Sequence, residues 1–212
     1  NENKKITKVV GIYGGRYQPF GPHHKKTYEW LKTKVDDAYI TTSDIKRPPK
    51  HPMNYKEKVR HMTKMGIPKS KIIKEKVPLK AENVLKKYNP QTTAVVYIFG
   101  AKDAGRLAGG KKKGGGLSYF QDFKKNKNNI KGYEEHGYFM VAPHQSIKVG
   151  GKEVSGTVMR DLLGSPKIDE AVLSTLPYPE AQKMAEYFLI EKRLAMLSVG
   201  SQSWLKHEKD GM

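Results

Sequence analysis

Cysteine is absent from the 212 residues, which excludes a disulfide framework, a Cys-ligated zinc site and a cysteine nucleophile together. Acidic residues are few beside basic ones, 21 against 40, and the resulting formal charge of +19 favours anionic partners. No apolar run approaches the roughly 18 residues of a membrane span, and no apolar segment of signal-peptide type follows the N-terminus. The expectation is a soluble, cytoplasmic chain with no membrane partner. Hydrophobic residues are a low 37%, but they are spread through most of the chain, which supports a packed core rather than wholesale disorder.

What is present alternates. Val9–Tyr13 is a short β-branched run that stops at Gly14-Gly15 and reads as a buried strand ending in a glycine loop. From Pro22 to Val35, Tyr28, Leu31 and Val35 recur at helical spacing, with Pro22 suited to the first turn. Residues 37–42 read as a second strand. Asn54 to Met65 reads as a helix capped by Asn54 and ended by Gly66. A third strand over 71–77, a helix over 80–88, a strong strand over 93–99 and a strand over 138–142 follow. A short helix is expected over 157–163 with Thr157 as its cap. Such alternation implies an α/β fold: a Rossmann-like parallel sheet with helices on both faces, built from right-handed crossovers. The domain is expected over 1–164, with a basic Gly/Lys-rich insertion at 105–132 and a helical C-terminal extension over 165–212.

The segment from Gly14 through Arg16 and Gln18 to Phe20, Gly21, Pro22, His23 and His24 lies where α/β sheets place ligands, in the loop leaving the first strand. Its glycines admit close backbone approach, and the following helix start offers free N–H groups and a positive dipole end to an anion. Arg16 adds a permanent forked charge. A lone histidine here would read as a core residue packed under Tyr28. Gly-Gly-Arg before it and paired imidazoles at the helix start point instead to a phosphate site.

The stretch GGRYQPFGPHH resembles the GRFQPFHxGH form of the HxGH nucleotidyltransferase signature, as found in nicotinamide-mononucleotide adenylyltransferases. The superfamily's ISSTxxR signature has a counterpart at Val154–Arg160, and its Gly-x-Asp signature resembles Gly100-Ala101-Lys102-Asp103. The resemblance covers about residues 8–164. It implies transfer of a nucleoside monophosphate, AMP from ATP first, to a phosphate-bearing acceptor such as nicotinamide mononucleotide, with release of pyrophosphate. By the same resemblance His24 would touch the α-phosphate and Arg16 would hold phosphate oxygens. Ser155, Thr157 and Arg160 would receive the β- and γ-phosphates, although Ser155 and Thr157 also suit an ordinary helix cap. Asp103 would accept from a ribose hydroxyl or cap a helix. Gly14, Gly15, Gln18, Phe20 and Gly100 complete the expected nucleotide-binding set, and Mg²⁺ would arrive with the triphosphate rather than in a protein cage.

Three departures stand out. The first signature histidine is Gly21 here, its glycine is His23, and Gly156 stands where the second signature usually has serine. His23 is therefore a candidate for the first imidazole's role, moved two positions along the loop. His51, His61, His136, His144 and His207 show no ligand spacing and read as structural or solvated. The alternative within enzymes is cytidylyl transfer to a phosphorylated alcohol. The alternative outside enzymes is a catalytically weak nucleotide- or nucleic-acid-binding structural protein. Lys111, Lys112, Lys113, Lys124, Lys125, Lys127 and Lys131 against Asp122 support a nucleic-acid contact through the insertion. Self-association into a homo-oligomer is left open.

Overall fold

The computed structural model describes residues 4–48, 50–104, 112–149 and 151–163. Two compact units are distinguished. The first is drawn from Asn1–Gly15, Lys26–Ser43 and Ser70–Gln145, and the second from Arg16–Lys25, Asp44–Lys69 and Ser146–Met212.

The first unit holds a six-stranded sheet formed by β1 (Lys8–Gly14), β2 (Asp37–Thr42), β3 (Ile72–Lys74), β4 (Thr93–Phe99), β5 (Phe120–Asp122) and β6 (Gly137–Val141), in the order β3-β2-β1-β4-β6-β5. Every pairing in it is parallel. From β1 the chain steps outward to β2 and β3, then returns to place β4 on the other side. This order of parallel strands, running outward on one side of β1 and returning to the other, realises the expected Rossmann-like α/β architecture. The β4 strand, buried at six of its seven residues, lies in the interior of the sheet as its unbroken apolar run requires. Val10, Ile12, Val95 and Tyr97 from β1 and β4 pack with Tyr39, Ala81 and Val84 into one core cluster.

The crossover from β1 to β2 carries α1 (Pro22–Lys32), which begins at the predicted proline. In the second unit α2 (Tyr55–Lys64) is capped as its sequence foretold. Asn54 Oδ1 accepts from the Glu57 N–H at 2.9 Å, and Glu57 Oε2 accepts from the Asn54 N–H at 2.9 Å. Gly66, at φ +90°, ends the helix in the left-handed conformation that a side chain would resist.

The helix expected over 80–88 is a single turn, α3 (Glu82–Leu85). Buried Glu75 explains its start: Oε1 accepts from the N–H groups of Asn83 at 2.7 Å and Val84 at 3.1 Å, satisfying donors that open a helix. Beyond β4 comes α4 (Ala101–Ala104). The edge strand β5 falls inside the stretch read as an insertion. Three residues within a Lys- and Gly-rich segment give no legible period, and pairing with β6 makes them a strand. A small hairpin, β7 (Lys148–Val149) and β8 (Lys152–Glu153), leads into α5 (Gly156–Leu163). The cap of α5 is Ser155 rather than Thr157, since Ser155 Oγ accepts from the Val158 N–H at 3.1 Å. The expected extension over 165–212 lies outside the described residues, as does 105–111 of the insertion. Among the described residues no helix is long and apolar enough to cross a membrane.

Candidate functional site

In the first unit, Gly14 and Gly15 end β1, while Gly100 and Asp103 follow the neighbouring β4. These are the carboxyl ends of the two strands between which the strand order reverses, the position where open α/β sheets bind ligands. The Gly15 N–H donates to the Thr41 carbonyl at 3.1 Å, and a Cβ on Gly14 would stand 3.0 Å from Thr41 Oγ1. Asp103 is exposed in the short α4, its N–H bonded to the Gly100 carbonyl at 3.0 Å.

The second unit gathers the charged residues. Its loop turns at Tyr17, a buried non-glycine residue at φ +48°, a conformation that costs energy and persists because the packed ring over-determines it. Gln18 is spent on scaffolding. Its side-chain amide donates to the Met53 carbonyl at 2.8 Å, and its Oε1 accepts from the Met53 N–H at 3.0 Å. Phe20 is fully buried and stacks on His24 with ring centroids 5.4 Å apart. These two residues shape the loop.

The Gly21 N–H donates to His24 Nδ1 at 2.9 Å, so the neutral ring carries its proton on Nε2. Packing of Phe20 and Tyr17 around the ring desolvates it, and His23 beside it adds like charge. Together these hold its pKa well below the usual histidine value. A neutral imidazole with a fixed donor is the outcome.

The His23 ring lies 3.9 Å from that of His24. A Cβ built on Gly21 would meet His23 Cε1 and Nδ1 at 2.7 Å. The His23 imidazole thus fills the space into which a side chain at position 21 would project.

Arg160, one turn into α5, donates from Nη1 to the Gln18 carbonyl at 2.7 Å and from Nη2 to Thr157 Oγ1 at 3.4 Å. Gly156 permits this, because a Cβ there would already stand 3.1 Å from Nη1. The guanidinium is tied to the loop 142 residues earlier in the chain.

Two residues outside the expected set join this group. Lys58 is 1% exposed on α2, and its Nζ donates to the Arg16 carbonyl at 3.2 Å. Burial, opposed by Asp44, brings its pKa down to about 8. The signal was present in the sequence: Lys58 falls on the same helical face as Tyr55, Val59 and Met62, where a charge is out of place. His51, read above as structural or solvated, accepts from Arg16 Nη1 through its Nε2 at 3.2 Å. Its position beside Arg16 had no sequence signal, being set by contact across 35 residues.

His61 is buried on α2, and its burial drives its pKa down to about 3. The unfolded chain therefore binds a proton below about pH 6.5 that the folded chain refuses until about pH 3. Stability is expected to fall as pH drops through that window, by on the order of 4 kcal/mol from this group alone. Urea titrations at stepped pH should show this, and His61→Leu should flatten the acid limb. An acid limb of unchanged steepness in that variant would refute the assignment.

The fold is that of an α/β, Rossmann-like domain. Residues 12–107 match the family described as cytidylyltransferase-like. Among solved structures the chain is similar to Plasmodium falciparum nicotinic acid mononucleotide adenylyltransferase complexed with NaAD. The TM-score is 0.51 at 11% identity, covering 89% of this chain and 97% of that one. It is also similar to a bifunctional NMN adenylyltransferase/ADP ribose pyrophosphatase of Francisella tularensis complexed with AMP and a manganese ion. There the TM-score is 0.48 at 13% identity, covering 94% of this chain and 56% of the other. No curated protein matches the sequence.

Proposed function

We infer that the protein is an adenylyltransferase that moves AMP from ATP to a mononucleotide acceptor, nicotinamide mononucleotide first among them, and releases pyrophosphate. The observation that carries this reading is the set Arg16, His24 and Arg160 held around one loop by the bonds described above, with His24 presenting a neutral Nε2–H. An acceptor phosphate oxygen attacks the α-phosphorus of ATP. One P–O bond forms, the bond to the β-phosphate oxygen breaks, and its electrons leave on pyrophosphate. The protein supplies alignment and charge stabilisation, the main levers in such transfers.

His24 donates from Nε2 to an α-phosphate oxygen as charge develops there. Arg16 and Arg160 hold the β- and γ-phosphates, with the start of α5 and Thr157 beside them. The charged side chains of the second unit's loop are nitrogen donors and cations, which suit phosphate oxygens and not a bare divalent metal. Mg²⁺ is accordingly brought by the triphosphate, whose charge it partly neutralises.

Pyrophosphate release measured with ATP and with CTP, each against a panel of phosphate-bearing acceptors, tests the reading. Mg²⁺-dependent release is expected with ATP and nicotinamide mononucleotide. Release that requires CTP and a phosphorylated alcohol would replace it with cytidylyl transfer. Silence across the whole panel would leave a nucleotide-binding protein without this activity.

A further inference from the structure

His51 sits in a cluster of positive charge in which, among the described residues, no carboxylate is paired with it. Its backbone is pinned on both sides, the N–H donating to the Arg47 carbonyl at 2.8 Å and the carbonyl accepting from the Arg47 N–H at 2.7 Å. A guanidinium can only donate, so the 3.2 Å contact with Arg16 Nη1 makes His51 Nε2 the acceptor and puts the ring proton on Nδ1. Nδ1 is shielded from solvent and has no hydrogen-bond partner among the described residues. Facing the ring are Arg16 from the loop after β1, Lys50 from its own loop, Lys58 from α2 and Arg160 from α5. All four are cations. The ring is kept neutral by its neighbours and serves as a rest for the Arg16 side chain.

We propose that His51 is a proton-linked phosphate sensor: polyphosphate entry draws Arg16 onto the anion, and the vacated His51 Nε2 takes a proton from solvent and becomes a further cationic donor. The balance is simple. One proton is taken up, one Arg–His hydrogen bond is exchanged for two charge-assisted bonds to phosphate oxygens, and no covalent bond changes. The driving force is the reversal of local sign. Without the anion, desolvation and the cations Arg16, Lys50, Arg160 and Lys58 hold the imidazole below its usual pKa. An anion among the same groups removes that opposition and stabilises the imidazolium. None of the three signatures contains His51, and the inference deepens the polyphosphate-site reading on which it rests.

Calorimetric titration of the full chain with ATP and Mg²⁺, run near pH 7 in buffers of different ionisation enthalpy, counts the protons exchanged. After subtraction of the nucleotide's own ionisation, uptake of about half to one proton per ATP is expected. Affinity should be roughly tenfold tighter at pH 6 than at pH 8. His51→Gln keeps an acceptor for Arg16 and does not titrate, so a merely structural role predicts no change. The expectation is that this variant binds ATP with the same affinity at pH 6 and pH 8 and takes up no proton; His51→Asn provides a second non-titrating replacement for the ring. Zero uptake by the wild type, or equal uptake by wild type and both variants, would overturn the sensor while leaving the nucleotide site intact. Failure of the wild type to bind ATP at any pH would overturn the site itself and the sensor with it.

Discussion

Gly21→His should depress turnover while His23 is present and restore it when His23 is also changed to glycine. The geometry sets this sign. A Cβ at position 21 would stand 2.7 Å from two atoms of the His23 ring, closer than real Cβ contacts, so the two imidazoles cannot occupy the same volume. The single substitution must displace the His23 ring from its place against His24, or shift the loop and with it His24, whose Nδ1 accepts from the Gly21 N–H. The double variant Gly21→His, His23→Gly returns one ring to that volume from the other backbone position. His23→Ala and His24→Ala are each expected to lower turnover by roughly 10²-fold or more, about 2.7 kcal/mol, if each removes a contact made in the transition state. Steady-state pyrophosphate release by the four variants decides it. A silent His23→Ala, together with a faster Gly21→His, would mean that the first imidazole is missing rather than moved.

Arg160→Ala should abolish most of the rise in melting temperature that ATP with Mg²⁺ gives the wild type. A ligand selective for the folded state stabilises it by mass action, and the variant removes a charge proposed to hold the terminal phosphates. The loss has a second component: without the bond from Nη1 to the Gln18 carbonyl, the loop bearing Arg16 and His24 is less well held. The fall in kcat/KM is therefore expected to exceed 10²-fold, beyond what a surface ion pair supplies. Gly156→Ala should act in the same direction but less, since its Cβ would crowd Nη1 at 3.1 Å without removing the charge. Thermal-shift curves over an ATP series measure both variants. A full shift retained by Arg160→Ala would place the triphosphate elsewhere.

The sequence by itself determined the alternating frame. The unbroken apolar runs of β1 and β4, Pro22 at the start of α1, and Asn54 with Gly66 at the ends of α2 are local signals of burial, ring geometry and capping. They survive because they need no distant partner. The loop from Gly14 to His24 was legible for the same reason: its residues are contiguous and its place after the first strand is fixed by topology. The tertiary structure decided the use of each side chain. It assigned Gln18 to the Met53 backbone, buried Phe20 under His24, moved the cap of α5 to Ser155, and made β5 a strand through its pairing with β6. It also set His51 against Arg16 across 35 residues and Arg160 against Gln18 across 142. Periodicity reports which face of an element is buried, but not which distant residue lies against it. Hydrogen bonds and charge clusters depend on that second fact, which is why the loop could be read from the sequence and its partners could not.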